Sequence, residues 1–237
     1  MFSLIKYNLS YYIKSAKYLP PVICFAAFFA FNYQVAPIGI WSNLHITGIA
    51  IFILSSWVGM SFMNSEDKTQ QYITRLHVKN ETIYYLSKIV SIIIFLIPFY
   101  LITILRPSIF GMFTRDILFS EILIYIVVYF LVSLLGVSAG IFFHYDLLSG
   151  EMAILTHILF VILAIVPFNV IFADNIFVVY ASYLLPPINF LAEKLHDLGD
   201  DVFYVDSNFW IFVIYALGYA LILMTLYNIV IQRRNKK

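Results

Sequence analysis

Residues 122–143 read ILIYIVVYFLVSLLGVSAGIFF, without one acidic or basic side chain. The hydrocarbon core of a bilayer is roughly 30 Å thick, and a helix needs about 20 apolar residues to cross it. The length of this run and its lack of charge therefore predict a transmembrane helix. They also raise the question of whether the rest of the chain lies in a membrane.

The whole chain has the composition of a membrane protein. Its 237 residues are 62% hydrophobic and 11% charged, with a mean hydropathy of +0.92, whereas soluble domains are about half apolar and about a quarter charged. A soluble fold of this size could not bury so much apolar surface, which excludes soluble enzymes, nucleic-acid-binding proteins and disordered chains. The single cysteine, Cys24, excludes a disulfide framework and a cysteine-rich metal site.

We predict one all-α transmembrane domain that comprises the whole chain, residues 1–237, and has six spans. Pro98 and Pro167 fall inside spans, where kinked helices are tolerated. The first span is the weakest, because it contains Asn32 and Pro37. The six apolar runs are Val22–Ile40, Leu44–Met63, Ile89–Leu105, Ile122–Phe143, Ala153–Ala173 and Phe209–Ile231.

The distribution of Lys and Arg predicts the orientation, since the cytoplasmic segments of membrane proteins are enriched in these residues. Eleven of them lie before the first span, between the second and third, or after the sixth, and three lie in the other loops. We therefore expect both termini in the cytoplasm and an even number of spans. The frequent Phe, Ile, Tyr and Asn indicate an AT-rich bacterial genome, so the expected location is a bacterial plasma membrane.

The segment before the first span, residues 1–19, is amphipathic. Lys6, Ser10, Lys14 and Lys17 fall on one helical face, and apolar residues fall mostly opposite. This pattern predicts a helix that lies in the membrane interface. A signal peptide is the alternative, but its charged region would be too long and no A-x-A cleavage site is present after the apolar stretch.

The predicted spans contain no Asp, Glu, Lys or Arg. Charges inside a membrane mark proton relays and ion sites, so their absence argues against a proton- or sodium-driven transporter. His45 and His157 lie near the ends of their spans, where we expect interhelical hydrogen bonds. The sequence contains no G-x-x-x-x-G-K-[ST] phosphate loop and no H-E-x-x-H zinc motif, so we expect no cofactor, metal or catalytic residue in this chain.

Residues 136–140 match the G-x-S-x-G pattern of a catalytic nucleophile elbow. That elbow requires a strand, a sharp turn and a helix, whereas this segment lies inside a predicted span. Small residues one turn apart allow helix backbones to approach closely in membranes. Ser133, Gly136 and Gly140 are therefore predicted to form a helix-packing face.

Residues 64–88, between the second and third predicted spans, form a long polar segment with signals for two helices. Ser65 can cap a first helix, and Glu66 and Asp67 in its first turn suit the positive end of the helix dipole. Asn80 can cap a second helix that continues into the third span.

The first of these helices has a small apolar face, formed by Tyr72, Ile73 and Leu76. An exposed apolar face is typical of a docking element for a partner protein. A plain connector is the alternative, but a connector needs only a few residues. We expect Glu66, Asp67 and Arg75 to lie at the rim of this contact. Charges at a rim usually contribute little to the binding free energy.

Residues 174–208, between the fifth and sixth predicted spans, are too long and too apolar for a simple loop. Ile176–Leu185 can dip into the membrane, and Pro186 and Pro187 would end this helix. Because backbone that turns within a membrane has to be buried in protein, we predict a re-entrant helical hairpin. Its acidic residues either attract cationic cargo or only keep the outer surface soluble. The apolar face of its second helix would consist of Ile188, Leu191, Leu195 and Leu198.

The order of these elements resembles that of the ABC-2 type permeases of ABC exporters. The resemblance covers most of the chain and rests on the interfacial helix, the six spans, the loop with Glu66 and Asp67, the entry to the third span at Lys88, and the segment before the sixth span. It implies a permease subunit driven by a separate cytosolic P-loop ATPase, which would hold ATP and Mg²⁺. It also implies a second permease subunit, either another copy of this chain or a paralogue.

The resemblance further implies roles for the two polar segments. The first would contain the coupling helix that inserts into the ATPase, and the second would form an outer gate. The coupling residues would be Glu66, Asp67, Tyr72, Ile73, Arg75, Leu76 and His77, and the gate residues would be Pro186, Pro187, Ile188 and Leu191.

The uncharged spans, which are rich in Phe and Tyr, favour hydrophobic or amphipathic cargo. Small permeases of this type often export toxins or antimicrobial peptides, including phenol-soluble modulins, so a membrane-active peptide is the cargo expected by analogy. Nucleic acid is not an expected partner. Two other functions remain open: an intramembrane enzyme, which would need a nucleophile or metal cluster at depth, and a membrane anchor that recruits a cytosolic partner without transport.

Overall fold

A computed structural model describes residues 1–78, 80–144, 150–172, 174–188 and 207–235, and the regular elements in these ranges are all helical. This confirms the predicted all-α class. Besides a short 3₁₀ turn at Tyr33–Val35, the elements are α1 (Phe2–Lys14), α2 (Leu19–Asn32), α3 (Ile40–Met63), α4 (Lys68–Val78), α5 (Glu81–Ile109), α6 (Phe119–Phe142), α7 (Gly150–Ile165), α8 (Phe168–Ile171), α9 (Ile176–Ser182) and α10 (Ser207–Asn235).

Four helices in the described part of the chain are long and apolar enough to cross a membrane: α3, α5, α6 and the Phe209–Ile231 portion of α10. A fifth crossing is possible if α1 and the segment Leu19–Val35, which meet at an angle of 77°, form one bent span. The chain therefore has several helices of the kind that spans a membrane. The predicted count of six is not confirmed, because the helices at the first and fifth predicted spans are shorter.

A proline follows the end of both short helices. The predicted run Val22–Ile40 is helical only to Asn32, and the 3₁₀ turn after it ends just before Pro37. The predicted run Ala153–Ala173 divides at Pro167 into α7 and α8. A residue before proline is restricted to extended backbone, so a helix usually ends there. Pro98, by contrast, lies within α5, which continues past it.

The centre of the fold is the contact between α3 and α6, onto which α5 and α10 pack. Glycines bring the two backbones together: a Cβ atom placed on Gly136 would lie 2.0 Å from Ser55 Oγ, and one on Gly140 would lie 2.1 Å from the carbonyl oxygen of Ser56. No side chain fits at either position. Ser133 is also buried, but it faces α5, where it accepts a hydrogen bond from the Tyr100 hydroxyl.

Helix α1 is attached to the protein along one side. The predicted segment 1–19 is helical only to Lys14, and it packs mainly against α5. Asn8 Nδ2 donates to Ser87 Oγ at 3.0 Å, and the buried Tyr12 hydroxyl lies 2.6 Å from Ser61 Oγ on α3. The buried side of the helix therefore contributes polar contacts, while Lys6, Ser10 and Lys14 on its other side are exposed.

The segment before α10 is described in part. Helix α9 ends at Ser182, and the residues after it form a turn whose Leu184 carbonyl accepts a hydrogen bond from Tyr219 of α10 at 2.9 Å. Pro186, Pro187 and Ile188 are buried. Residues 189–206, which include Leu191 and the predicted second helix of the hairpin, lie outside the described residues.

Candidate functional site

The loop after α3 places α4 beside the start of α5. The helix begins at Lys68, later than the sequence suggested, because Ser65 does not act as its cap. The Ser65 hydroxyl instead donates back to the Phe62 carbonyl at 2.7 Å. Glu66 and Asp67 therefore precede the helix. The second predicted cap is confirmed, since Asn80 Oδ1 accepts a hydrogen bond from the backbone N–H of Ile83 at 3.3 Å.

One side of α4 is apolar and open. Tyr72 is 65% exposed, Leu76 is 58% exposed and Ile73 is 43% exposed. Asp67 and His77 are exposed as well. An exposed apolar patch on a short, otherwise polar helix marks an interaction site for a protein or a membrane surface. We call Tyr72, Ile73 and Leu76 the α4 apolar face.

The opposite side of the site is a buried ion pair. Lys88 Nζ lies 2.8 Å from Glu66 Oε2, and the two side chains are 1% and 2% exposed. The Tyr84 hydroxyl donates to the same carboxylate oxygen at 2.6 Å, and the Lys88 ammonium lies 4.8 Å from the centre of the Tyr84 ring. The expectation that Glu66 is a rim charge is therefore wrong, because Glu66 is buried in an ion pair with Lys88 of α5.

The protonation of Glu66 is set by these neighbours. Burial by itself raises the pKa of the carboxyl, but the Lys88 charge and the hydrogen bonds from Lys88 and Tyr84 outweigh it, so the pKa of Glu66 is lowered. The carboxylate is thus ionised at neutral pH. A buried charge that is paired and hydrogen-bonded fixes the relative positions of the segments that supply it.

Arg75 connects α4 to the body of the protein. Its guanidinium donates a hydrogen bond to the Tyr85 hydroxyl, and it lies 5.5 Å from the ring centre of Tyr84 and 5.3 Å from that of Tyr85. Cation–π contacts of this kind add to the hydrogen bond. Arg75 is half-buried, so it belongs to the inward side of α4 and not to the exposed rim.

The contact continues through aromatic rings to two further helices. Tyr85 packs edge-on against Tyr227 of α10 with ring centres 5.3 Å apart. Tyr227 packs in turn against His144, at the end of α6, with ring centres 5.2 Å apart. We call Arg75, Tyr85, Tyr227 and His144 the aromatic chain. The aromatic chain links α4 directly to α5, and indirectly to α10 and to the end of α6.

A third attachment joins α4 to α1. Gln70 Nε2 donates to the Tyr7 hydroxyl at 3.0 Å, and Gln71, which is buried, donates to the Glu66 carbonyl at 3.1 Å. The helix is therefore held by α1, by α5 and by its own preceding loop. Its polar side is fixed while its apolar face stays open.

The structure divides the predicted coupling residues into two groups. Glu66 and Arg75 point into the protein, whereas the other members, Asp67, Tyr72, Ile73, Leu76 and His77, are exposed. Sequence reasoning missed the partners on α5, which are Tyr84, Tyr85 and Lys88. The available signal was the spacing of Tyr84 and Lys88, one helical turn apart at the start of an otherwise apolar helix.

The remaining polar residues of the spans make structural contacts. His157 Nε2 lies 2.6 Å from Ser56 Oγ, which confirms the expected hydrogen bond between α7 and α3. Ser138 donates to the Leu135 carbonyl within its own helix. Across the described ranges, no group of three His, Cys, Asp or Glu side chains could hold a metal ion.

Comparison with known proteins gave no match to a protein family, to a curated protein or to a solved structure.

Proposed function

We propose that this chain is the permease subunit of an ABC exporter of the ABC-2 type, driven by a separate cytosolic ATPase that binds ATP and Mg²⁺. The observation that carries the proposal is the geometry of α4, whose apolar face is open while Arg75 fixes its other side and the Glu66–Lys88 pair fixes the loop before it. A helix that only connected two spans would not need both features.

This geometry suits the transfer of movement. A partner that bound the α4 apolar face and moved would displace α4, and the aromatic chain would pass the displacement to α5, to α10 and to the end of α6. Packed interiors transmit strain because they are dense. In the proposed assembly, two permease subunits, identical or paralogous, each engage one ATPase, and six spans place both termini in the cytoplasm of a bacterial cell.

The proposed cargo is hydrophobic or amphipathic, with a membrane-active peptide as the best candidate. The described spans support this, since their buried surfaces consist mainly of aromatic and aliphatic side chains. In this proposal the buried turn at Pro186, Pro187 and Ile188, together with Leu191, forms the outer gate.

The direct test is the double substitution Tyr72→Ala with Leu76→Ala. Burial of one such side chain at an interface is worth roughly 1.5–3 kcal/mol, so the variant should lose the ATPase on co-purification and should lose cargo export. The protein should still insert into the membrane, because the spans are unchanged. A matched control is Ile109→Ala with Phe110→Ala, two exposed apolar residues at the far end of α5, which should keep both properties. Full ATPase binding and export by the α4 variant would make the segment a connector.

A membrane anchor is the second candidate, because an open apolar face also suits a partner that is only recruited. The two functions differ in the effect that binding has on the partner. A permease should stimulate ATP hydrolysis by its partner and move cargo into or out of vesicles, whereas an anchor should bind the partner without either effect.

A further inference from the structure

A long groove separates α3 from α7 on the side of the bundle where α1 meets α2. It has a volume of about 650 Å³, and its walls are formed mainly by Ile53, Trp57 and Met60 of α3 and by Ile158, Val161 and Ile162 of α7. The groove is open because α7 makes only limited contact with α3. The groove is mainly apolar, although Ser61 and His157 also line it, and one of its ends is polar.

The polar end is formed by Lys17. Its Nζ donates to the backbone carbonyl of Asn64 at 2.6 Å, and no described carboxylate pairs with it. A lysine ammonium has three donors, so two remain for a ligand. The groove thus has a cation at its mouth and an apolar floor, which is the charge pattern of a site for an amphipathic anion.

The length of the groove matches one leaflet of a bilayer. From Asn64 to Ile53 the wall follows α3 for about three turns, or roughly 16 Å at 1.5 Å per residue, and half of a hydrocarbon core is about 15 Å. An acyl chain from one leaflet therefore has the length to lie along the groove.

We propose that this groove binds an anionic phospholipid, with its phosphate at Lys17 and one acyl chain between Trp57 and Ile158. The lipid comes from the leaflet on the side that the Lys and Arg distribution assigns to the cytoplasm, which is the leaflet where anionic lipids attract basic segments. The site is independent of whether the chain is an exporter.

The test uses the full-length protein in detergent with phosphatidylglycerol or phosphatidylcholine of identical acyl chains, and native mass spectrometry counts the lipid retained. We expect the protein to retain phosphatidylglycerol preferentially. Lys17→Gln should lower that preference about tenfold, the factor for one charged hydrogen bond. Lys14→Gln, a neighbouring exposed lysine that does not line the groove, should leave it unchanged.

A second variant tests the acyl site. Ile158 is half-exposed in the groove, so Ile158→Trp should fill the space without disturbing the core and should lower retention of both lipids. The proposal is overturned if Lys17→Gln keeps the preference for phosphatidylglycerol. It is also overturned if Lys14→Gln removes that preference to the same extent, because the anionic lipid would then be attracted by the general positive charge and not by Lys17. It is also overturned if Ile158→Trp leaves lipid retention unchanged, and dissociation of a dimer by that variant would make the groove an interface between copies.

Discussion

The Glu66–Lys88 pair carries an energetic cost that its surroundings have to offset. Removing two charges from water costs several kcal/mol for each ion, and attraction repays that cost only when further hydrogen bonds are present. Here the Tyr84 hydroxyl supplies one such bond and the Tyr84 ring faces the ammonium. Loss of either charge would therefore leave the other buried and uncompensated.

We expect Glu66→Gln to destabilise the protein by about 3–5 kcal/mol, the range for breaking a buried ion pair. The measurement is the thermal unfolding midpoint in detergent. Asp67→Asn, next to it but exposed, should change the midpoint little. Glu66→Gln combined with Lys88→Met should recover part of the loss, because no charge is then left unpaired. An unchanged midpoint for Glu66→Gln would mean that the pair is not formed.

The same pair predicts a pH dependence. The pKa of Glu66 is lower in the folded protein than in the unfolded chain. The contribution of Glu66 to the free energy of unfolding is therefore fully present at pH values above its unfolded pKa of about 4.3. This stabilisation is lost as the pH falls through the lower pKa that Glu66 has in the folded protein. Acid titration of the unfolding midpoint should show this loss in the unsubstituted protein and not in the Glu66→Gln variant. Parallel curves for the two proteins would contradict the assignment.

Gly140 tests the close contact between α3 and α6. Even Gly140→Ala should cost about 1–3 kcal/mol, as overpacking does, because the new Cβ would meet the backbone of Ser56. Gly218→Ala is the matched control in α10, where a Cβ meets nothing within 4 Å and alanine favours the helix. Both variants are compared by thermal unfolding. Equal midpoints would place Gly140 away from a tight contact.

At the scale of the elements, α4 is a short helix whose stability depends on its attachments. Isolated helices of this length are marginal in water, so its order comes from contacts with α1 and α5. Gln70 and Arg75 supply those contacts. The side chains of the α4 apolar face are 43–65% exposed, which leaves the face available to a partner.

Arg75→Gln should loosen α4, because it removes the cation–π contacts and the charged hydrogen bond to Tyr85. We expect faster amide hydrogen exchange in α4 and unchanged exchange in α6. His77→Gln is the control, since the His77 ring is exposed and donates to the Ile73 carbonyl of its own helix. Unchanged amide exchange in α4 after Arg75→Gln would mean that Gln70 and the loop containing Glu66, and not Arg75, hold α4 in place.

At the scale of the whole molecule, the question is how many helices cross the membrane. The four long apolar helices are candidates for four crossings, and the segment of α1 and α2 is a candidate for a fifth if its two bent helices form one span. Six crossings require α2 and α7 to span separately. Helix α7 has 16 residues, or about 24 Å, so it would cross only with help from the residues beyond Pro167 or from a locally thinner bilayer.

Cysteine labelling decides the topology. In a Cys24→Ser background, cysteines introduced at 79 and 237 should react with an impermeant reagent only after the cells are opened, and one at 200 should react on intact cells. These positions lie outside the described residues, and the expectation comes from the Lys and Arg distribution. Labelling at 79 on intact cells would contradict the six-span topology.

The sequence by itself determined the features that depend on neighbouring residues. Hydropathy predicted the long spans, the spacing of Gly136 and Gly140 placed two small residues on one side of α6, and Asn80 marked the start of α5. Each of these obeys local rules, because a helix repeats every 3.6 residues and a cap acts within one turn. The apolar periodicity of Tyr72 and Leu76 was visible for the same reason.

Only the tertiary structure decided what those elements touch. The burial of Glu66 depends on Lys88 and Tyr84 in another helix, and the inward position of Arg75 depends on Tyr85. A single sequence shows which residues share a helix side, but not which helix lies against it. Long-range pairing is set by the packing of the whole bundle. For that reason two charges predicted at a solvent-exposed rim face the protein instead, with Glu66 buried and Arg75 half-buried.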